Sequence, residues 1–581
     1  MARGSARTVG YAANPLLQVR MPAYRSGVML ALIAFAFMAL AVRATYLQAF
    51  SDDYLREQGE SRYGRTLILP ASRGKILDRN GNVLAASLPA YAVWADPDQT
   101  EAKPEELHQL GKLLNLRPKA LRGKLNETDR SLVYLRRQLD PAVADKVRAL
   151  KLPGINLQRE YKRHYPEGET VAHIVGFTNV DDLGQEGIEL ARNRQLAGQT
   201  GSRRVIKDRL GRIIEDVRAV REPHDGDDIV LSIDAKMQFL AFDALRDAVQ
   251  DNKAKAGAVV VLDVVSGEIL ALANWPTYNP NQRARLSGAQ LRNRVITDTF
   301  EPGSTMKPFT AALALELGKA KPLTVFQTAP GKLTIGSATI GDAHPHGALT
   351  LEEVIEKSSN VGIAKLALQM EPKEIWEFYA ALGFGQVPQL GFPGAVAGRV
   401  RPYRSWRPIE QATMSYGHGM SVSLIQVARA YLAFARDGEL LPLSITRRDA
   451  VPASTRVISK KTALAVRKML EMAAGPNGTA PRAQIAGYRV AGKTGTALKI
   501  ENGKYVKKYV ASFVGFAPVS APRIVVAAMI DEPNAGRHYG GDVAAPLFAR
   551  VAGEAMRALQ VEPDAPGVAV VIPTTAVQES M

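Results

Sequence analysis

Ser304 and Lys307, in the stretch Phe300-Glu301-Pro302-Gly303-Ser304-Thr305-Met306-Lys307, stand three residues apart at what reads as a helix start. Pro302 and Gly303 break the preceding structure. Residues 309–317 (FTAALALEL) then run as a helix of Ala and Leu, and Gly318 suits its C-terminal stop. Positions i and i+3 share a helix face, so the hydroxyl and the amine can meet in a hydrogen bond. A neutral lysine amine placed there can take the serine proton and turn the hydroxyl into an acyl-transfer nucleophile. The helix N-terminus adds partial positive charge at the same point. Alone the pattern says little, because Ser-x-x-Lys arises about once or twice by chance in a chain of this size. A second copy, Ser72-Arg73-Gly74-Lys75, is indeed present. It sits on a Gly-interrupted, extended segment that would not bring its side chains to one face, and it reads as structural.

Two further groups lie downstream. Ser358-Ser359-Asn360, the one Ser-x-Asn in the chain, falls between helical stretches at 351–357 and 361–368. A serine hydroxyl there can relay a proton, and an asparagine amide both donates and accepts, which suits a peptide backbone. Taken alone the triplet also fits a cap linking two helices. Lys493-Thr494-Gly495-Thr496 ends a strand-like run over 488–492. A lysine with two hydroxyls makes a carboxylate site, and Gly492 and Gly495 let a ligand approach the backbone. Alone this is equally a strand followed by a turn.

The elements that must carry these groups belong to a long chain of 581 residues, too large for one compact domain. Cysteine is absent, which excludes disulfides, thiolate catalysis and cysteine metal sites. The formal charge of +17 raises the question of nucleic acid, but no arginine-rich run with interleaved aromatics occurs. A membrane surface or a cell-wall polymer fits the charge as well, as does a well-solvated surface. The uncharged run 27–42 (GVMLALIAFAFMALAV), resumed after Arg43, predicts a transmembrane anchor over 27–47, close to the roughly 20 residues a bilayer needs. Arg3, Arg7, Arg20 and Arg25 precede it and Asp52 and Asp53 follow, so a basic tail, 1–26, is expected in the cytoplasm and the rest outside. A cleaved signal peptide competes, with small residues near 39–44, but the long N-terminal region and long apolar core favour a retained single span.

Residues 51–225 are expected to form a non-catalytic α+β pedestal. It would hold a strand-turn-strand over 73–85 turning at Asn80-Gly81, a helical stretch over 105–150, loops at 184–189 and 198–201, and a tight turn at Asp208–Arg212. A boundary falls near 222–228 (EPHDGDD), and the catalytic domain is expected over 226–560. There a strand at 229–233, a helix at 235–250 and a hairpin over 258–273 precede helices between 304 and 436. Strands return at 489–493, 510–517 and 524–530, so the predicted α+β fold has a sheet closed by both ends of its chain. The tail 561–581 is expected to be disordered.

The order Ser-x-x-Lys, Ser-x-Asn, Lys-Thr-Gly in one domain is the signature of the penicillin-binding and serine β-lactamase superfamily. The chain resembles class B, monofunctional penicillin-binding proteins over nearly its whole length after the anchor. Segments 73–85, 184–189, 208–211 and 292–304 carry that resemblance, and no glycosyltransferase domain is seen. Gly391-Phe392-Pro393-Gly394 and the run 412–422 (ATMSYGHGMSV) are most similar to the septal cell-division transpeptidases, the penicillin-binding protein 3 type.

The resemblance implies an elongated pedestal and a transpeptidase domain whose central antiparallel sheet is flanked by helices. It implies that Ser304 attacks the penultimate D-alanine carbonyl of a stem peptide, with Lys307 as general base and Ser358 as proton shuttle. Asn360 would hold the donor amide, and Lys493, Thr494, Gly495 and Thr496 would hold the terminal carboxylate. The N–H groups of Ser304 and Thr496 would form the oxyanion hole. It further implies stem-peptide donors and acceptors, β-lactam inhibition through an ester on Ser304, the bacterial inner membrane and septum, and division partners including a multi-span lipid II polymerase. No cofactor, metal or nucleic acid is expected. His344-Pro345-His346 reads as a turn rather than a metal site, His418 as a loop residue, and Tyr509 and Tyr539 as rim residues. The rival readings are a β-lactamase, an elongation-specific relative, and an inactive membrane-bound sensor or scaffold.

Overall fold

The computed structural model describes residues 22–49, 64–126, 132–207, 213–565 and 567. Its contacts divide the chain into two units, one holding residues up to Leu69 with Thr200–Pro223, the other Pro70–Gln199 with everything from His224. In the first unit the apolar helix Ala23–Ala49 is slightly longer than the expected span. It is long and apolar enough to cross a membrane, with a mean hydropathy of 2.2, and its most apolar stretch is not buried against any of the described residues. A three-stranded antiparallel sheet, in the order Gly64–Leu69, Gly201–Lys207, Ile213–Arg221, completes this unit. The turn expected at Asp208–Arg212 lies outside the described residues, although the strand expected after it is present.

The second unit begins with the hairpin read from Asn80-Gly81. Strand Ile76–Leu77 turns at Gly81, where φ is +89°, into Val83–Ala95. The stretch expected as helical over 105–150 is not continuous. Helices Pro104–Leu114, Pro118–Leu125 and Pro141–Ala149 each start at a proline, and strand Val133–Leu139 runs between the last two. Val133 and Leu135 are buried while Tyr134 faces out, a period of two that wins over the Lys- and Arg-rich composition. Similarly, Gly187 opens a short helix, Gly187–Ala191, inside the expected loop. The strand at Ile76–Leu77 pairs in parallel with Ile229–Val230, tying residues 70–199 to those after 224.

The part after residue 226 is built on helix α1 (Ala235–Asp251), capped by Asp234 accepting from the Met237 N–H, and the hairpin β1 (Ala256–Asp263) and β2 (Ile269–Trp275). Then come α2 (Lys307–Glu316), α3 (Leu351–Glu356), α4 (Asn360–Ala367), α5 (Leu424–Ala435) and α6 (Lys460–Ala474). Strands β3 (Ala491–Glu501), β4 (Lys504–Ala517) and β5 (Ile524–Asp531) and helix α7 (Gly540–Ala558) close the fold.

The sheet is antiparallel in the order β2-β1-β5-β4-β3, so strands from both ends of this part meet in its centre, as the sequence implied. Strand β1 is buried on both faces, and its residues alternate between two cores: Val259 and Val261 pack with α1 and α7, Val260 and Leu262 with α2 and α5. Short strands such as Lys332–Ile335 and Ala338–Gly341 interrupt the helical stretch expected between 304 and 436. The tail also departs from expectation over 561–565. Tyr488 donates to the Val561 carbonyl, the Arg489 N–H to Asp564, and the Ala565 N–H to the Gly487 carbonyl. Residues 568–581 lie outside the described residues.

Candidate active site

Ser304 lies on a 3-10 turn, Gly303–Met306, that runs straight into α2. Local sequence sets this geometry. Gly303 takes φ +57°, the Thr305 hydroxyl bonds back to the Pro302 carbonyl at 2.8 Å, and Pro308 falls in the first turn, where no N–H is missed. Below the turn Phe309 stacks on Phe434 at 4.9 Å and meets Tyr431 and Phe384 edge-on, while the Tyr431 hydroxyl caps the Thr305 carbonyl at 2.9 Å. Such a fully buried aromatic is worth roughly 3–5 kcal/mol against truncation, which fixes the height and rotation of α2.

The second group meets the first. Lys307 Nζ lies 3.0 Å from Ser358 Oγ and also donates to the Ser358 carbonyl, in a pocket where both side chains are fully buried. Ser358 holds φ +61°, a left-handed conformation that costs of order 1–3 kcal/mol in a non-glycine residue and needs rigid neighbours. Those neighbours are explicit. Ser359 caps α4 by accepting from the Gly362 N–H at 2.9 Å and donates to Asp342 at 2.6 Å. Asp342 also accepts from the Val361 N–H at 2.9 Å, and Asn360 Nδ2 donates to the Gly341 carbonyl at 3.0 Å. The cap of Ser-Ser-Asn therefore falls on Ser359, while Ser358 is the serine that faces Lys307.

Lys493-Thr494-Gly495-Thr496 lies well inside β3, which continues to Glu501, not at a strand end as expected; the Asn502-Gly503 turn, not Gly495, reverses the chain. A Cβ on Gly495 would stand 2.6 Å from the Pro302 carbonyl oxygen, so only glycine lets the strand press on the Ser304 turn. A Cβ on Gly303 would stand 3.3 Å from the Thr496 carbonyl oxygen, so the turn and the strand are in close backbone contact there too. Because β3 is an edge strand, one row of its backbone groups turns away from β4. Lys493 is fully buried and donates to the Thr494 hydroxyl at 3.1 Å and to Thr479 at 3.3 Å, and the two threonine hydroxyls are 3.0 Å apart. The Thr496 hydroxyl accepts from the Gly540 N–H at 3.0 Å.

Several neighbours were not found by the sequence reading. Thr479 and Asp342 have no motif around them. Glu301 accepts from the Gly419 N–H at 2.8 Å and from Tyr505 at 3.2 Å, and burial raises its carboxyl above the usual range. His418 lies among Tyr416 and Tyr505, and burial followed by the charge of Lys307 pushes it down to about 4. It is thus neutral at pH 7 and sits beside the lysine. His344 and His346 are in the loop between Gly341 and Ala348, and no third metal-ligating group joins them among the described residues. The Ser72 copy lies outside any helix, with its N–H bonded to Asp225 at 2.7 Å.

Residues 257–553 match the penicillin-binding protein transpeptidase domain, and residues 68–231 the penicillin-binding protein dimerisation domain. The chain is 43% identical over 569 residues to the probable peptidoglycan D,D-transpeptidase PenA of Neisseria gonorrhoeae, covering 96% of this chain and 97% of that one. It is 41% identical over 541 residues to the peptidoglycan D,D-transpeptidase FtsI of Escherichia coli strain K12, covering 92% and 91%. Among solved structures, the transpeptidase domain of Burkholderia pseudomallei penicillin-binding protein 3 is 50% identical with a TM-score of 0.54, over 58% of this chain and 98% of that one. Penicillin-binding protein 3 of Mycobacterium tuberculosis, complexed with aztreonam, is 30% identical with a TM-score of 0.67, over 87% and 100%.

Proposed function

The chain belongs to the class B penicillin-binding proteins and is a peptidoglycan D,D-transpeptidase, and from that premise we propose that it acts through an acyl-enzyme on Ser304 at the division septum. The observation that carries this reading is the buried 3.0 Å contact between Lys307 Nζ and Ser358 Oγ, one helical turn from Ser304 and beside the strand that bears Lys493.

In the proposed course, the amine form of Lys307 takes the Ser304 proton as Oγ attacks the penultimate D-alanine carbonyl. The N–H groups of Ser304 and Thr496 stabilise the oxyanion, which the close approach of Gly303 to Thr496 supports. The proton passes from Lys307 through Ser358 to the leaving amine of the terminal D-alanine. Lys493, Thr494 and Thr496 hold that residue's carboxylate, with Gly495 giving the backbone clearance, and Asn360 holds the donor's amide. An acceptor amine from a neighbouring stem then resolves the ester, and a β-lactam leaves a long-lived ester in its place.

Residues 51–225 act as a non-catalytic pedestal in this proposal. The apolar helix Ala23–Ala49 supports a single-pass anchor in the inner membrane, with the N-terminus cytoplasmic and the catalytic half periplasmic. The septal assignment rests on the segments 391–394 and 412–422 and on the likeness to FtsI, and with it go division partners including a multi-span lipid II polymerase. Mass spectrometry of a penicillin adduct tests the chemistry: the adduct maps to the peptide bearing Ser304, and labelling that persists in Ser304→Ala refutes the assignment. Depletion in cells tests the site of action, where unseptated filaments are expected and rounded cells would point to wall elongation.

A further inference from the structure

A strongly basic groove opens where β3 and β4 extend past the active site. It encloses about 570 Å³ between the start of β1, the outer part of β4 and the segment after β5. Its rim carries Lys253, Lys255, Lys507, Lys508 and Arg537, against a single acid, Glu532. Burial would raise Glu532, but hydrogen bonds and charge from Lys499 at 2.7 Å and Lys255 at 2.9 Å outweigh it and pull the carboxyl down to about 2. Lys508 is paired with Glu501 at 2.7 Å. Among the described residues, Lys253, Lys507 and Arg537 make no ion pair, so the groove keeps a surplus of positive charge.

Its wall is specific in shape. Tyr509 and His538 stack at 4.0 Å with their rings 19° apart, and His538 Nε2 is buried without a hydrogen-bond partner. The Lys253 backbone is held at φ +45° on a turn whose neighbours bond across to the far wall, Asn534 N–H to the Asn252 carbonyl and Lys255 N–H to the Asp531 carbonyl. Two links tie the groove to the strand that bears the active-site lysine. Tyr509 lies opposite Leu498, two residues beyond Thr496 along β3, and Gly540, two residues past His538, donates to the Thr496 hydroxyl.

We propose that this groove binds the free carboxylates of the peptidoglycan stem on the far side of the scissile bond from the terminal D-alanine. The inference rests on the placement of the terminal carboxylate at Lys493 and Thr496. An extended peptide held there and running along β3 gains about 3.3 Å per residue, so its preceding two or three residues come level with the Leu498–Tyr509 pair, from which a long acidic side chain would cross the strand toward the lysine rim. Carboxylates at that point meet three cations that lack acidic partners and the unsatisfied His538 nitrogen. The aromatic stack then separates a desolvated reacting centre from an electrostatic handle that sets which stem is held.

Direct binding tests this independently of turnover. Full-length Ser304→Ala protein in detergent is titrated with a fluorescent D-Ala-D-Ala pentapeptide bearing its natural carboxylates, and with the same peptide amidated at those side positions. The free-carboxylate peptide should bind at least tenfold more tightly. That preference should shrink with added salt and vanish in Lys253→Gln/Lys507→Gln/Arg537→Gln. Equal affinity for both peptides, or a preference that survives the triple substitution, overturns the proposal. So does inorganic pyrophosphate displacing the amidated peptide as well as the charged one, which would mark the groove as a phosphate site. The triple variant with Ser304 intact should be acylated by penicillin at the unaltered rate. A failure of penicillin to label Ser304 in the unmutated protein would instead strike at the acyl-enzyme reading while leaving the binding result standing.

Discussion

Two buried clusters of charged side chains in the larger unit solve the same problem in opposite ways. Around Glu189, both carboxylate oxygens are taken: Arg73 Nε donates to Oε2 at 2.6 Å and Arg163 Nε to Oε1 at 2.7 Å, with all three side chains nearly sealed from water. Arg73 further bonds the Glu189 and Asp182 carbonyls and Asn193, so each of its three nitrogens donates. The cluster around Lys307 and Lys493 is lined instead by the hydroxyls of Ser358, Thr479 and Thr494. Hydroxyls can give or take a proton and can turn toward an arriving anion, whereas an arginine clasped by a carboxylate can do neither. Ion pairing makes the first cluster a fastening, and hydroxyl lining leaves the second able to react.

Substitutions should separate the two. Ser304→Ala is expected to lower penicillin acylation by at least about 10³-fold while leaving the melting temperature nearly unchanged, as followed by adduct mass and calorimetry. Glu189→Gln should do the reverse. Removing one partner of a buried ion pair costs roughly 3–5 kcal/mol, seen as a large drop in melting temperature with near-normal acylation per folded molecule. Loss of acylation without loss of stability would break the distinction.

Acid should strain the fastening side through His173, whose ring bonds the Gln290 carbonyl and which burial pushes down to about 4. Between pH 6.5 and 4 the unfolded chain takes up a proton that the folded one refuses, so stability falls as pH falls, by up to about 3 kcal/mol for this group. His173→Gln should flatten that slope in urea titrations at pH 7 and pH 4.5. The smallest change is expected from Thr479→Val, which removes a hydroxyl bonded to both Lys493 and Thr494. Acylation by a carboxylate-bearing penicillin should slow about tenfold, and acylation by a substrate without that carboxylate much less.

The three motifs were legible because each is local: a helical turn for Ser304 and Lys307, a helix junction for Ser358 and Asn360, a strand for Lys493 to Thr496. Helix α1 and the β1–β2 hairpin were legible from period and turn residues. What escaped depends on residues far apart in sequence. Thr479 reaches Lys493 across a turn that no periodicity marks, and Asp342 secures Ser359 from a hairpin that reads as loop. The strand Val133–Leu139 hid in a basic, leucine-rich stretch because its alternation lasts only a few residues. Residues 561–565 look unstructured by composition, yet Asp564 accepts from Arg489 and Ser520, contacts invisible until the fold brings them together.

Strand β3 is the open margin of the catalytic sheet, and such margins are where one chain invites another to stack into fibrils. Here the turn bearing Ser304 lies against its middle, at Gly495 and Thr496, and its outer end carries Lys499, bound to Asp531 and Glu532, and Glu501, bound to Lys508. The support of the Ser304 turn therefore doubles as a guard against self-association. A variant that loosens the Pro302–Gly303 turn should lose solubility on storage as well as reactivity, and light scattering over days should register both losses in the same molecules.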